Sequence, residues 1–415
     1  SGCGSSTTYT YNDANLVESI TNYVNSTKVS EFTYTYYADG NQLTKTDTVN
    51  NTITTYVYDG AGRLLSETEI DLSTLAIINR YRYTYDSANN RISMMQDGSK
   101  ICSVEYTYDK NNRLLTEYKI EGVTETTVTS STTTTNNKGT VTTITKTAET
   151  TTTESTTIYT YDANGNTLTA TTGNDEIGYE YNARNQLITY TDAVIIDYSY
   201  YPDGLRRSKQ TRGFTTELLF VWSGDNTVYQ YESNAQISGT AYVYGINLIT
   251  SRDNSGNENY YLYNAHGDVV QLADDTGTIV KEYQYDAFGV EYDIDANDDN
   301  YFRYTGQYFD IESGTYYLRA RYYNPANGRF TQQDWWEYIN SNDPLSLNLY
   351  TYCSNNPIRY NDPSGTTAMD VVAGIFLALI ENLNGLNKKI IEFISKGIVQ
   401  DLEYTYESGY DYYLG

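Results

Sequence analysis

The sequence predicts a mainly β protein: a coiled antiparallel sheet of stacked hairpins, with a short helical segment near its C terminus. Three observations lead there. Tyrosine occurs 48 times, against 9 Phe and 3 Trp. A Tyr-x-Tyr element recurs through residues 1–289, usually followed by Asp or Asn and a turn. Helical spacing of apolar residues begins only after Gly365.

The repeats read "YTYND" at Tyr9, "YTYYADGNQL" at Tyr34, "YVYDGAGRLL" at Tyr56, "YTYDSANNRI" at Tyr83 and "YTYDKNNRLL" at Tyr106. They continue as "YTYDANGNTL" at Tyr159, "YEYNARNQLI" at Tyr179, "YSYYPDGLRR" at Tyr198, "YVYG" at Tyr242, "YLYNAHGDVV" at Tyr261 and "YQYDAFG" at Tyr283. Tyrosines at i and i+2 share one face of a strand. Asp/Asn-x-x-Gly/Asn is a turn, because Gly and Asn tolerate positive φ. The "RLL" or "QLI" that follows starts the return strand, so each copy is a hairpin. One hairpin cannot bury its own face, but a stack of them can. Tyrosine, with an apolar ring and a polar tip, suits such a half-wet sheet. Two gaps, Tyr108 to Tyr161 and Tyr200 to Tyr244, are about twice the usual spacing, as if a copy had drifted in each. Lys and Arg in the "GRL" and "NRL" copies read as cross-strand pairing and solvation.

Residues 123–157 are dominated by threonine, a β-branched residue that favours strands. Asn136-Asn137-Lys138-Gly139 in the middle is a hairpin turn, so a long two-stranded insertion is expected. Residues 290–365 form a separate block. In its opening "EYDIDANDDN", Asp293, Asp295 and Asn297 alternate as in a calcium loop. An EF-hand fails there, because Asp298 replaces the Gly and Tyr304 stands in the Glu position. An acidic solvated loop is the other reading, and no further cofactor is indicated. Residues 366–415 are a variable segment. Phe376, Leu379, Leu383, Leu386, Ile390 and Phe393 fall three and four apart, as on an amphipathic helix.

Composition excludes several functions. The formal charge of −26 opposes nucleic-acid binding, which needs a basic footprint. Cys3, Cys102 and Cys353 make neither a CxxC nor a disulfide framework. The single histidine, His266, rules out multi-His metal sites, and reads as a turn residue and not as a catalyst. The longest apolar run, Val371–Ile380, falls short of a membrane span.

These copies resemble YD repeats, found in Rhs polymorphic toxins, in the C subunits of Tc insecticidal toxins and in teneurins. "YYLYNAHGDVVQLADDTGTIVKEYQYDAFG" (Tyr260–Gly289) is similar to that family's penultimate block. "YFRYTGQYFDIESGTYYLRARYYNPANGRFTQQD" with "LNLYTYCSNNPIRYNDPSG" is similar to its Rhs-associated core domain. The resemblance implies a sheet wound into a cocoon, or part of a shell, around a toxic C-terminal cargo, in a secreted or cell-surface protein. It also implies an intramolecular aspartyl protease. Carried over by motif, Arg321 would support Asp334 and Asp362, with cleavage near Thr366. Two positions depart from the family: Thr366 stands where Leu is usual, and Trp335 where Pro is usual. The alternative roles for these residues are structural, the arginine stacking on Tyr rings and both Asp capping turns. The chain as a whole also has a second reading, a structural or adhesive surface protein or filament that self-associates through open sheet edges. No activity on an external substrate is indicated.

Overall fold

A computed structural model describes residues 4–370 except 99, 137–138, 234–238 and 340–342, and only the backbone of residues 123–150. Residues 1–369 form one compact unit and 370–415 a second. The helix expected over Phe376–Phe393 lies outside the described residues.

The expected sheet is present. Among the described residues it has 23 strands, from Ser6–Tyr11 to Ile279–Glu282, and each pairs antiparallel with the next in sequence. It is not closed edge to edge. Instead its first strands lie against its later ones: Val17, Ile20, Phe32 and Tyr34 pack on Val270, and Val24 packs on Leu262 and Ala273. Asn22 Nδ2 donates to the Tyr263 carbonyl at 2.9 Å, and Asn25 Nδ2 to that of Thr276 at 2.8 Å.

The local cause of the coil is visible in each copy. In "YVYDGAGRLL", Asp59 Oδ1 accepts from the N–H of Ala61 and of Arg63, both at 2.9 Å. Gly62 then takes a φ of +82°. Asp86 and Asp162 repeat this arrangement, with Asn89 (φ +63°) and Gly165 (φ +85°) at the left-handed position. Directly after the turn the register slips opposite the second tyrosine, as at Tyr58, Tyr85, Tyr181 and Tyr263. A bulge bends its strand and increases the twist, so one at the same place in copy after copy curls the sheet in one sense.

The two tyrosines have different work. The first is buried in the inner face, as Tyr34, Tyr56, Tyr83, Tyr106, Tyr198 and Tyr261 are. In several copies the second sends its hydroxyl to the carbonyl just past the previous hairpin's turn, whereas the buried hydroxyls of Tyr58 and Tyr181 make no such bond. Tyr85 reaches Leu64 at 2.7 Å, Tyr108 reaches Arg91 at 2.6 Å, Tyr200 reaches Leu187 at 2.6 Å and Tyr263 reaches Leu248 at 2.7 Å. Between the tyrosines, hydroxyl pairs cross the outer face: Thr35–Thr44 at 2.6 Å and Thr160–Thr169 at 2.7 Å.

The repeat arginines reach across strands: Arg63 Nη1 donates to the Asp86 carbonyl at 2.9 Å, and Arg63 and Arg113 lie over the rings of Tyr85 and Tyr161. Each also binds the aspartate of its own turn, Asp59 and Asp109, because the turn folds position five back over position one. The gap between Tyr108 and Tyr161 holds no drifted copy. It is filled by the threonine-rich arms Leu114–Asn136 and Gly139–Tyr161, paired from Thr116↔Ile158 to Asn136↔Gly139.

Residues 283–365 fill the inner face of the sheet as a plug. Phe288 packs on Tyr83, Tyr308 on Phe220, Tyr317 on Trp222, and Tyr322 on Tyr198. The plug is anchored by buried charge. Arg206 and Lys209 of the sheet both hold Asp310, Lys209 at 3.2 Å, and Lys209 also holds Glu312 at 2.9 Å. The Arg206 guanidinium lies 4.4 Å from the centre of the Tyr317 ring and 4.8 Å from that of Tyr308.

Removing one tyrosine hydroxyl tests the link between hairpins. Tyr263→Phe leaves the buried Leu248 carbonyl without its donor and should destabilise the unit by about 1–3 kcal/mol in urea unfolding. A midpoint unchanged from wild type would show that the hydroxyl contributes nothing.

Candidate functional site

The strand Arg321–Asn324 follows a reversal at Leu318–Arg321, where Arg319 takes a φ of +56°. The reversal points Arg321 into the plug, where it is 5% exposed. Its guanidinium lies 3.5 Å from the centre of the Phe330 ring. Nη1 donates to the Leu349 carbonyl at 3.0 Å. Nη2 is 2.8 Å from Asp334 Oδ2 and 3.5 Å from Asp362 Oδ2. Nε donates to the carbonyl of Gly365. The three residues named from the sequence thus meet at one guanidinium.

The segment after Asp362 is tightly held. Asp362 Oδ1 accepts from the N–H of Thr366 at 3.0 Å, the N–H of Thr367 at 3.1 Å and the hydroxyl of Ser364 at 3.1 Å. Ala320 N–H donates to the Ser364 carbonyl at 3.1 Å. Arg319 Nη1 donates to the Pro363 carbonyl at 2.9 Å. Gly365 has a φ of +73°, and a Cβ there would stand 2.3 Å from the Leu318 carbonyl oxygen, so only glycine fits. As a result, both polar atoms of the Gly365–Thr366 peptide bond are engaged, the oxygen by Arg321 and the N–H by Asp362.

The two carboxylates differ. Burial pushes Asp334 up to about 6, against the downward pull of Arg321 and of the Trp335 N–H, which donates to its Oδ1 at 2.8 Å. Asp362 is 3% exposed and accepts three hydrogen bonds on one oxygen. The Ser364 hydroxyl, the Leu349 carbonyl and the Phe330 ring were not foreseen. Ser364 lies inside the "DPSG" motif and was within reach of sequence reasoning. The other two depend on packing.

The remaining candidates lie elsewhere. Asp295 is drawn into an ion pair with Lys281 at 2.9 Å and caps the N–H of Asn297 at 2.9 Å. Asp293 occupies a left-handed turn position with φ +56°. Among the described residues no group of three or more His, Cys, Asp or Glu is placed to hold a metal ion. His266 sits in the Asn264–Asp268 turn, with Nδ1 2.9 Å from Asp268 Oδ1.

The model of the teneurin YD-shell family matches residues 76–358, and an RHS repeat model matches residues 36–71. The chain belongs to the teneurin YD-shell family. Among individual relatives, the tRNA3(Ser)-specific nuclease WapA of Bacillus spizizenii is 34% identical over 226 residues, covering 52% of this chain. The tRNA(Glu)-specific nuclease WapA of Bacillus subtilis subsp. natto is 37% identical over 214 residues, covering 49%. The match spans 9% of the length of each of these two relatives. The structure of the Photorhabdus luminescens Tc holotoxin pore aligns with 88% of this chain and 20% of its own, at 19% identity and a TM-score of 0.45. Among the described residues no helix is long and apolar enough to cross a membrane.

The charge state of Asp334 is open to measurement. Its carboxyl holds a proton more tightly folded (about 6) than its ordinary value of 3.8, so its contribution to stability falls as pH rises between those values. The stability difference between wild type and Asp334→Asn, from urea unfolding across pH 4–7, should shift against wild type through that window and level off above it. A difference that does not vary with pH would show an ordinary carboxylate.

Proposed function

We propose that this YD-repeat shell segment belongs to a secreted or cell-surface protein of the polymorphic-toxin type. We further propose that its plug cuts the chain between Gly365 and Thr366, leaving the segment from Thr366 onward as a carried effector. One observation supports this above the others: Arg321 and Asp362 grip the two polar atoms of the same peptide bond, with Asp334 on the same guanidinium. The nuclease activities in two relatives' names and the toxin named in a third support an effector downstream of such a shell, and the acidic charge suits an extracellular protein.

The chemistry needs neither His nor Cys. Hydrolysis adds water across the bond. Negative charge that develops on the Gly365 oxygen meets the Arg321 guanidinium, already in place and shielded from solvent. Asp362 takes up a proton from the attacking group and gives it to the Thr366 nitrogen as the C–N bond breaks. Asp334 holds a proton, because burial pushes its carboxyl up to about 6.

Expression of residues 1–415 followed by intact-mass analysis tests the reading. Wild type should yield a fragment ending at Gly365, and the partner fragment should begin at Thr366. Asp362→Asn should stay whole, and Arg321→Met should slow cleavage by about 10²–10³-fold. The rate should fall as pH rises through about 6, when Asp334 loses its proton. Wild type that remains intact from pH 5 to 8 removes the protease reading.

A further inference from the structure

We propose that the first nucleophile in this cleavage is the side-chain hydroxyl of Thr366 itself, and that water acts only in a second step. The inference rests on the reading that the chain breaks between Gly365 and Thr366. It starts from a chain of hydroxyls beside that bond. Thr366 Oγ1 lies 2.9 Å from Ser364 Oγ, and Ser364 Oγ donates to Asp362 Oδ1 at 3.1 Å. With Ser364 donating to the carboxylate, the Thr366 hydroxyl donates to Ser364, so the proton path runs from Thr366 to Asp362. An aliphatic residue at this position would break the path at its first member.

The steps balance. Thr366 Oγ1 attacks the Gly365 carbonyl carbon and closes a five-membered ring, and its proton passes through Ser364 Oγ to Asp362. The oxyanion on Gly365 faces Arg321 Nε. The C–N bond then breaks, and the Thr366 nitrogen takes the proton back from Asp362 Oδ1, 3.0 Å away. This leaves an ester between the Gly365 carbonyl and Thr366 Oγ1, with a free α-amine on Thr366. Water attacks the ester carbon, and Thr366 Oγ1 leaves with a proton. The products are a Gly365 carboxylate and an unmodified N-terminal threonine. Thr366 is the catalytic nucleophile in this scheme, and Ser364 is a positioning residue that relays its proton.

The full chain tests the scheme through its variants and through neutral hydroxylamine, which attacks esters faster than amides. Thr366→Ala and Thr366→Val should each slow cleavage by about a hundredfold or more, and Thr366→Ser should restore it. Hydroxylamine should speed cleavage of wild type and leave Gly365 as a hydroxamate. It should do nothing to Thr366→Val. Wild type that stays whole in buffer but is cut by hydroxylamine at Gly365 would keep the acyl shift and reject self-hydrolysis. Wild type and Thr366→Val cleaving at equal rates, with no effect of hydroxylamine, would overturn the threonine nucleophile and leave the carboxylate protease standing. Wild type inert in both conditions would overturn both.

Discussion

A buried tyrosine hydroxyl reaching one hairpin back is the interaction on which the rest of this structure depends. Burying a tyrosine ring is favourable, but its hydroxyl must find a partner inside. The YD copy supplies one. Its Asx turn is followed by a bulge, and the carbonyl at that bulge receives the next copy's second tyrosine, as Leu64 receives Tyr85 and Leu187 receives Tyr200. Hairpins joined this way are tied on the inner face as well as through the strand ladder. A sheet held this way can be long and strongly curved while using little Leu or Val.

The plug is built with the same device. Tyr304, Tyr323 and Tyr316 donate their hydroxyls to three successive carbonyls, Ala287 at 2.8 Å, Phe288 at 2.6 Å and Gly289 at 3.2 Å. The last YD turn, where the plug begins, is therefore gripped by the segment that follows it, and a hydrogen-bonded seam runs on from there to the turns of the shell. Asparagines continue that seam along the turns. Asn356 meets Asn41 at 2.9 Å, Asn355 meets Asn89 at 2.9 Å, and Asn348 meets Asn90 at 2.6 Å. The plug thus reads the positions that define the repeat.

Local chemistry explains what could be read in advance. Strand, turn and tyrosine facing follow from residues within about ten positions of one another, so the hairpins were legible copy by copy. The carboxylate partner of Arg63 was not, because aspartates of its own and of the next turn suit it equally, and only the turn geometry chooses. Long-range contacts left no trace in the sequence pattern. Arg206 and Asp310 are 104 positions apart, and neither sits in a motif that predicts a buried pair. The overlap of the first strands on Val270 likewise follows from total curvature, which no single copy specifies. At the candidate site the three charged residues were identified by resemblance to a family motif. Their convergence, and the grip on both ends of one peptide bond, come from the fold.

The charge balance at that site suits a proton on Asp334. Arg321 is buried and carries one positive charge, whereas Asp334 and Asp362 together could carry two negative charges against it. A buried cluster with a surplus charge is costly, and protonating one carboxyl removes the surplus. Burial marks Asp334 as that carboxyl, pushed up to about 6. Asp362 Oδ1 accepts from the Thr366 and Thr367 N–H groups and the Ser364 hydroxyl, whereas Asp334 is held by Arg321 and the Trp335 N–H. Two carboxyls in unlike settings therefore stand on one guanidinium without any histidine. Asp362 faces the Gly365–Thr366 bond because the sequence that anchors it, Asp362 to Thr367, is the sequence that contains that bond.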